Sequence, residues 1–103
     1  MVLLKHEENN SVECIYDSSN VIGSKYLKNE RKLAVIFKSG LQYVYNDVSL
    51  TDYKLFESCE SQGKLLNTVI KKYSFDKSKD KVQALKELAY IYYLADYISF
   101  SYT

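Results

Sequence analysis

The sequence predicts an α+β domain: a small antiparallel β-meander of about three to four strands, two short helices and one long C-terminal helix. Three observations predict it. Apolar residues in the first half recur at every second position, as in Leu33, Val35 and Phe37, the period of a half-buried strand. Beyond residue 50 the apolar spacing changes to three and four, the period of a helix. Between the strand-like runs stand "DSSN", "NER" and "KSG", short turn-forming segments that suit hairpins.

Residues 1–11 open with four apolar residues, Met1 to Leu4, and then turn polar. This is too short for the apolar core of a signal peptide and reads as a flexible arm. "VECIY" (12–16), "NVIGSKYL" (20–27) and "KLAVIF" (32–37) read as successive strands. In "LQYVYN", Leu41, Tyr43 and Tyr45 share one face of a fourth. Ser49 or Thr51 suits the N-cap of a helix over "DYKLFESCE". Ser61 starts a second helix, "KLLNTVIKKYSF", with Leu65, Leu66, Val69, Ile70 and Tyr73 at helical spacing. Gly63 falls in its first turn, where the helix penalty of glycine matters least. "DKSKDK" (76–81) is a charged connector to a long helix over roughly 81–100. The organisation is therefore an arm (1–11), an α+β domain (12–75) and a C-terminal segment (76–103).

That last segment changes character along its length. Val82, Leu85, Leu88, Ala89 and Tyr92 form one apolar stripe, whereas "AYIYYLADYIS" carries Asp96 as its single charge. A helix apolar all round must be covered all round. Its tyrosines and interrupting charges do not suit a membrane span. A second copy of the chain is the expected cover, which makes the protein a homo-oligomer; the alternative is a central core helix in a monomer.

At 103 residues the chain is one domain. A formal net charge of +1 with a single arginine, Arg31, argues against a protein that coats duplex nucleic acid. Lysines must do any anion binding. Eleven tyrosines offer rings for a core, an interface or base stacking. Cys14 and Cys59 read as reduced thiols of a cytoplasmic protein. His6 lies in the arm, no nucleophile can be matched to a base, and no residues have zinc-ligand spacing. No enzyme, metal site or cofactor is expected.

The stretch "SQGKLLN", Ser61 to Asn67, lacks the glycine spacing of a phosphate-binding loop and the strand that feeds one. It retains the ingredients of an anion site. Gly63 permits close approach to the backbone, Lys64 brings a charge, Ser61 sits beside the helix start, and Asn67 lies one turn on. The plain alternative is a serine cap with a solvated lysine. Tyr43 and Tyr45 offer two rings on one strand face, either to bases or to the core begun by Leu33 and Val35.

The order of these residues resembles the KTSC family. Its pattern stands here as Ser18-Ser19, Leu33-x-Val35-x-Phe37, Gly40, Tyr43-x-Tyr45, Val48, Tyr53, Ser61-x-Gly63-Lys64, Asn67, Ile70 and Tyr73. The resemblance covers about residues 18 to 75. Ser49 replaces a proline of the pattern, Leu27 an acidic residue, and Leu65-Leu66 an aromatic pair. The resemblance implies a nucleotide- or RNA-binding module, and some small phage proteins that look similar sequester cyclic nucleotide signals from host defence. The resulting expectation is a non-enzymatic sponge for a small cyclic nucleotide, acting in the host cytoplasm if phage-encoded. Ser61, Gly63, Lys64, Asn67, Tyr43 and Tyr45 are its ligand-binding residues. The alternatives are a single-stranded RNA-binding accessory module and a pure protein-interaction module.

Overall fold

The computed structural model describes residues 1–77. Six strands form one antiparallel sheet in chain order: β1 (Val2–Glu7), β2 (Ser11–Tyr16), β3 (Val21–Leu27), β4 (Lys32–Phe37), β5 (Gln42–Tyr45) and β6 (Phe75–Lys77). Between β5 and β6 the chain forms α1 (Leu50–Ser58), α2 (Gln62–Thr68) and a 3-10 turn (Ile70–Lys72). These helical elements cover one face of the sheet. The α+β class and the meander agree with the sequence; the strand number is larger. The long helix expected over 81–100 and its oligomerising role lie outside the described residues.

The inward face follows the two-residue period. Val12 and Cys14 of β2, Tyr26 of β3, Leu33 and Val35 of β4 and Tyr45 of β5 meet Tyr53, Phe56, Leu66 and Ile70 from the helical layer in one buried cluster. Two of the inward tyrosines, Tyr26 and Tyr16, satisfy their polar tips within it. Tyr26 stacks on Tyr53 with centroids 4.2 Å apart and donates its hydroxyl to the Val48 carbonyl at 2.7 Å. Tyr16 meets Phe56 edge-on, and its hydroxyl pairs with that of Ser24 at 2.6 Å. Each ring therefore adds apolar area without leaving a buried hydroxyl unpaired. A register shift between Val21 and Gly23 places both Val21 and Ser24 inward, which strict alternation does not allow.

Two expectations are corrected. Residues 2–7 are not a loose arm but an edge strand paired with β2 from Val2↔Tyr16 to Glu7↔Val12. An edge strand needs one hydrogen-bonded neighbour and only a modest apolar face. Lys5 also fastens β1 to α1 through Glu57 at 2.7 Å. Secondly, the helix begun at Ser61 does not continue to Phe75. It ends at Thr68, tightens into the 3-10 turn, and the chain then pairs with β5 as β6, Tyr45↔Phe75 and Tyr43↔Lys77.

Both helices begin at serines. Ser49 accepts from the Asp52 amide at 3.1 Å, and Ser61 from the Lys64 amide at 3.3 Å, each satisfying a donor that the helix leaves open. The β4–β5 hairpin turns at Gly40, whose φ of +89° is a conformation that side-chain-bearing residues rarely adopt.

Candidate functional site

A cleft of about 350 Å³ opens between α2 and the β5–β6 edge of the sheet. One wall is aromatic: Phe37, Tyr43, Tyr45 and Phe75 come from β4, β5 and β6. The other is Gly63, Leu66 and Asn67 of α2 with Lys71 of the 3-10 turn, and Asn20, Ser39 and Leu41 close one end.

The aromatic wall is ordered by sheet register. Tyr43 lies beside Val35 on one side and Lys77 on the other, and Tyr45 is opposite Phe75. Phe75 stacks on Tyr43 with centroids 5.0 Å apart and planes 8° from parallel. Phe37 meets the same ring edge-on at 5.1 Å. Tyr45 is buried, whereas Tyr43 is half-buried and Phe75 remains 50% exposed. Tyr45 belongs to the core, and both tyrosines line the cleft.

The facing wall repeats every four residues. Gly63, Asn67 and Lys71 fall on one side of α2 and its continuation, while Leu66 and Ile70 point into the core. Among the described residues no carboxylate lines the cleft, so the Lys71 ammonium gives it a positive character. Lys77 adds a second cation 5.9 Å from the Tyr43 centroid.

Of the residues singled out in the sequence, Tyr43, Tyr45, Gly63 and Asn67 come together here. Ser61 and Lys64 are not among the lining residues. Ser61 is the α2 cap, and Lys64 is exposed. Gln62, between them, is fully buried. Its amide nitrogen donates to the carbonyls of Phe56 and Cys59 at 3.3 and 3.2 Å, and its Oε1 accepts from the Met1 nitrogen at 2.7 Å. The stretch "SQGKLLN" thus divides into fold (Ser61, Gln62) and cleft (Gly63, Asn67).

The candidate ligand residues read from the sequence do not include Lys71, Phe75, Phe37 or Asn20. The four-residue spacing Gly63–Asn67–Lys71 is a local signal that points to Lys71. Phe75 has no such signal, because its place depends on the pairing of β6 with β5.

Every cleft residue lies within residues 17–75, the segment that the sequence profile of the KTSC domain matches. That segment is more than half of the chain. The chain belongs to the KTSC domain family. The crystal structure of the KTSC domain protein YPO2434 from Yersinia pestis is similar to it, with a TM-score of 0.62 and 26% sequence identity. The match covers 66% of this chain and 97% of that chain. No curated protein matches the chain. In this KTSC domain the matched segment supplies β3, β4, β5, both helices and the first residue of β6, whereas β1 and β2 precede it.

The remaining reactive groups are held in structural roles. Cys14 is buried, and burial pushes its thiol up to about 11. Its sulfur lies 3.7 Å from the Tyr53 hydroxyl and 3.8 Å from Glu57 Oε1. Such a thiol stays protonated and unreactive at neutral pH. His6 pairs with Glu8 at 3.1 Å on the β1 edge. Among the described residues, no three His, Cys, Asp or Glu side chains group in a way that could hold a metal ion, and no helix is long and apolar enough to cross a membrane.

Proposed function

We propose that this KTSC domain is a non-enzymatic binding protein for a small nucleotide of the cyclic di- or oligonucleotide class, which it sequesters by holding it tightly. One observation carries the reading: the cleft sets an aromatic wall against a carboxylate-free strip that includes a lysine. A nucleobase stacks on exposed ring surface, and base–aromatic stacking contributes about 1–3 kcal/mol per base. Lys71 offsets phosphate charge, and Asn67 and Asn20 offer donors and acceptors to base edges or hydroxyls. A protein with a formal charge of only +1 suits a ligand that needs one local cation better than a polymer that needs many.

The volume of about 350 Å³ is near the lower end for ligand sites. It accommodates one nucleotide unit, and a cyclic dinucleotide then extends to a second copy of the chain. The homo-oligomer expected from the apolar run at 89–99 belongs to the same proposal, as does a role in evading host defence in the cytoplasm. Leu94→Glu is expected to lower the mass measured by gel filtration; an unchanged mass removes that element.

A thermal-shift panel with cyclic di- and trinucleotides, AMP and short single-stranded RNA tests the binding itself, because a ligand of the native state raises the melting temperature by mass action. A rise with a nucleotide and none with RNA supports sequestration. A rise with RNA alone, with affinity falling steeply in salt, replaces it with an RNA-binding module, and no rise leaves a protein-interaction module.

A further inference from the structure

Among the described residues, neither the backbone nor the packing requires a glycine at position 63. Gly40 needs its φ of +89°, but Gly63 does not occupy the left-handed region. A Cβ built on Gly63 meets no described atom within 4 Å beyond its chain neighbours and the helix's own backbone. Alanine is the better helix former, so within the chain alone the substitution is favourable. What a side chain here would occupy is the cleft, which Gly63 lines.

The charge in the cleft has a similar asymmetry. Lys71 and Lys72 are consecutive, yet Lys72 is held by Asp52 at 2.9 Å. Lys71 lines the cleft and has no ion pair among the described residues. A cation left uncompensated beside a wall with no side chain at one position marks where an anion approaches closely.

We infer that Gly63 is a glycine for the ligand and not for the fold: a phosphate group rests against its bare Cα, and Lys71, rather than Lys64, supplies the opposing charge. Position 63 then sets how deeply the phosphate enters, and Asn67, between them on the strip, faces the sugar or base. This inference rests on the nucleotide-binding reading and specifies which pole of the cleft takes the phosphate.

The test compares AMP with adenosine, which share a base and differ in the phosphate, on the full chain and on Gly63→Ala and Lys71→Gln, by calorimetric titration and thermal melting. Gly63→Ala is expected to melt no lower than the unsubstituted protein while its affinity for AMP falls at least tenfold and that for adenosine is unchanged. Lys71→Gln is expected to lose affinity for AMP to a similar extent and to keep that for adenosine; Lys64→Gln is expected to change neither. A Gly63→Ala protein that melts several degrees lower, or that binds AMP as well as the parent, overturns the inference while nucleotide binding stands. If the parent protein binds neither adenosine nor AMP, the same variants are read with the cyclic nucleotide that raises its melting temperature, and no rise with any nucleotide overturns the nucleotide reading and this inference with it.

Discussion

The Tyr73 hydroxyl donates to Asp52 Oδ2 at 2.5 Å, joining the end of the helical layer to the first turn of α1. The same carboxylate receives Lys72 Nζ at 2.9 Å, and the Ser49 amide donates to the Tyr73 oxygen at 3.4 Å. That last bond needs an N–H at position 49, which a proline there would lack. This latch fixes where the 3-10 turn ends, and hence where the chain enters β6.

The latch gives stability a defined acid limb. The Tyr73 hydrogen bond, and then Lys72, hold the Asp52 carboxyl below its ordinary value. Its charged form is therefore favoured in the folded state, so its contribution is full above the ordinary aspartate range and is lost as pH falls through the lowered folded value. Tyr73→Phe is expected to cost about 1.5–3 kcal/mol at neutral pH, the range for a hydrogen bond to a charged group. Urea melts of parent and variant should converge as pH falls below 4, and a gap independent of pH would contradict this account.

The stacked pair at the centre of the core separates packing from hydrogen bonding. Tyr26→Phe keeps the ring against Tyr53 but leaves the Val48 carbonyl without its 2.7 Å donor. A buried acceptor without its donor costs about 1–3 kcal/mol. Phe56→Ala instead empties a fully buried site and is expected to cost about 3–5 kcal/mol. Chemical denaturation distinguishes the two.

Cys14 is expected to resist thiol reagents in the native protein. Its burial and raised thiol leave little thiolate at neutral pH. Cys59 is only half-buried and should react first, and urea should release the second thiol. Rapid native labelling of Cys14, followed by mass spectrometry, would show that the β2 face opens more readily than its packing allows.

Phe75→Ala addresses the proposed ligand. The ring is half exposed, so its loss should cost less than that of a core aromatic. Removing one stacking surface is worth about 1–3 kcal/mol of binding, read as roughly a tenfold or larger loss of nucleotide affinity. Unchanged affinity would take the aromatic wall out of the site.

Much of this fold is legible because β2 to β5 and the two serine caps are written in local pattern: Leu33 and Val35 form the buried face of β4, and Phe37 packs against the same core. The strands at the two ends are less so. In β1, Val2, Leu3 and Leu4 run together without alternation, and pairing with Tyr16 and Ile15 decides their faces. Towards β6, Leu65, Val69 and Tyr73 continue a helical spacing that the chain does not follow, because Tyr73 is held by Asp52, 21 residues away. The cleft divides in the same way. Gly63, Asn67, Tyr43 and Tyr45 are visible from motif and alternation, whereas Phe75 acquires its role only when β6 pairs with β5. Lys71 lies eight residues from Gly63 on the same side of the helical run, whereas Lys64, adjacent to the glycine in sequence, is exposed outside the cleft.

The placement of β6 has a consequence for the order in which the molecule opens and closes. Neighbouring strands from β1 to β5 are joined by short turns, but Tyr45 meets Phe75 across the whole helical layer. Contacts of long sequence separation carry the larger loop-closure cost, and three residues at a sheet edge give little to hold them. The cleft is therefore expected to be completed late in folding, with β6 and its Phe75 ring fraying most easily while β2 to β4 stay intact. A molecule lodged between Tyr43 and Lys71 would act as a clasp on that edge, slowing amide hydrogen exchange in β6 while leaving the rates of the central strands where they were.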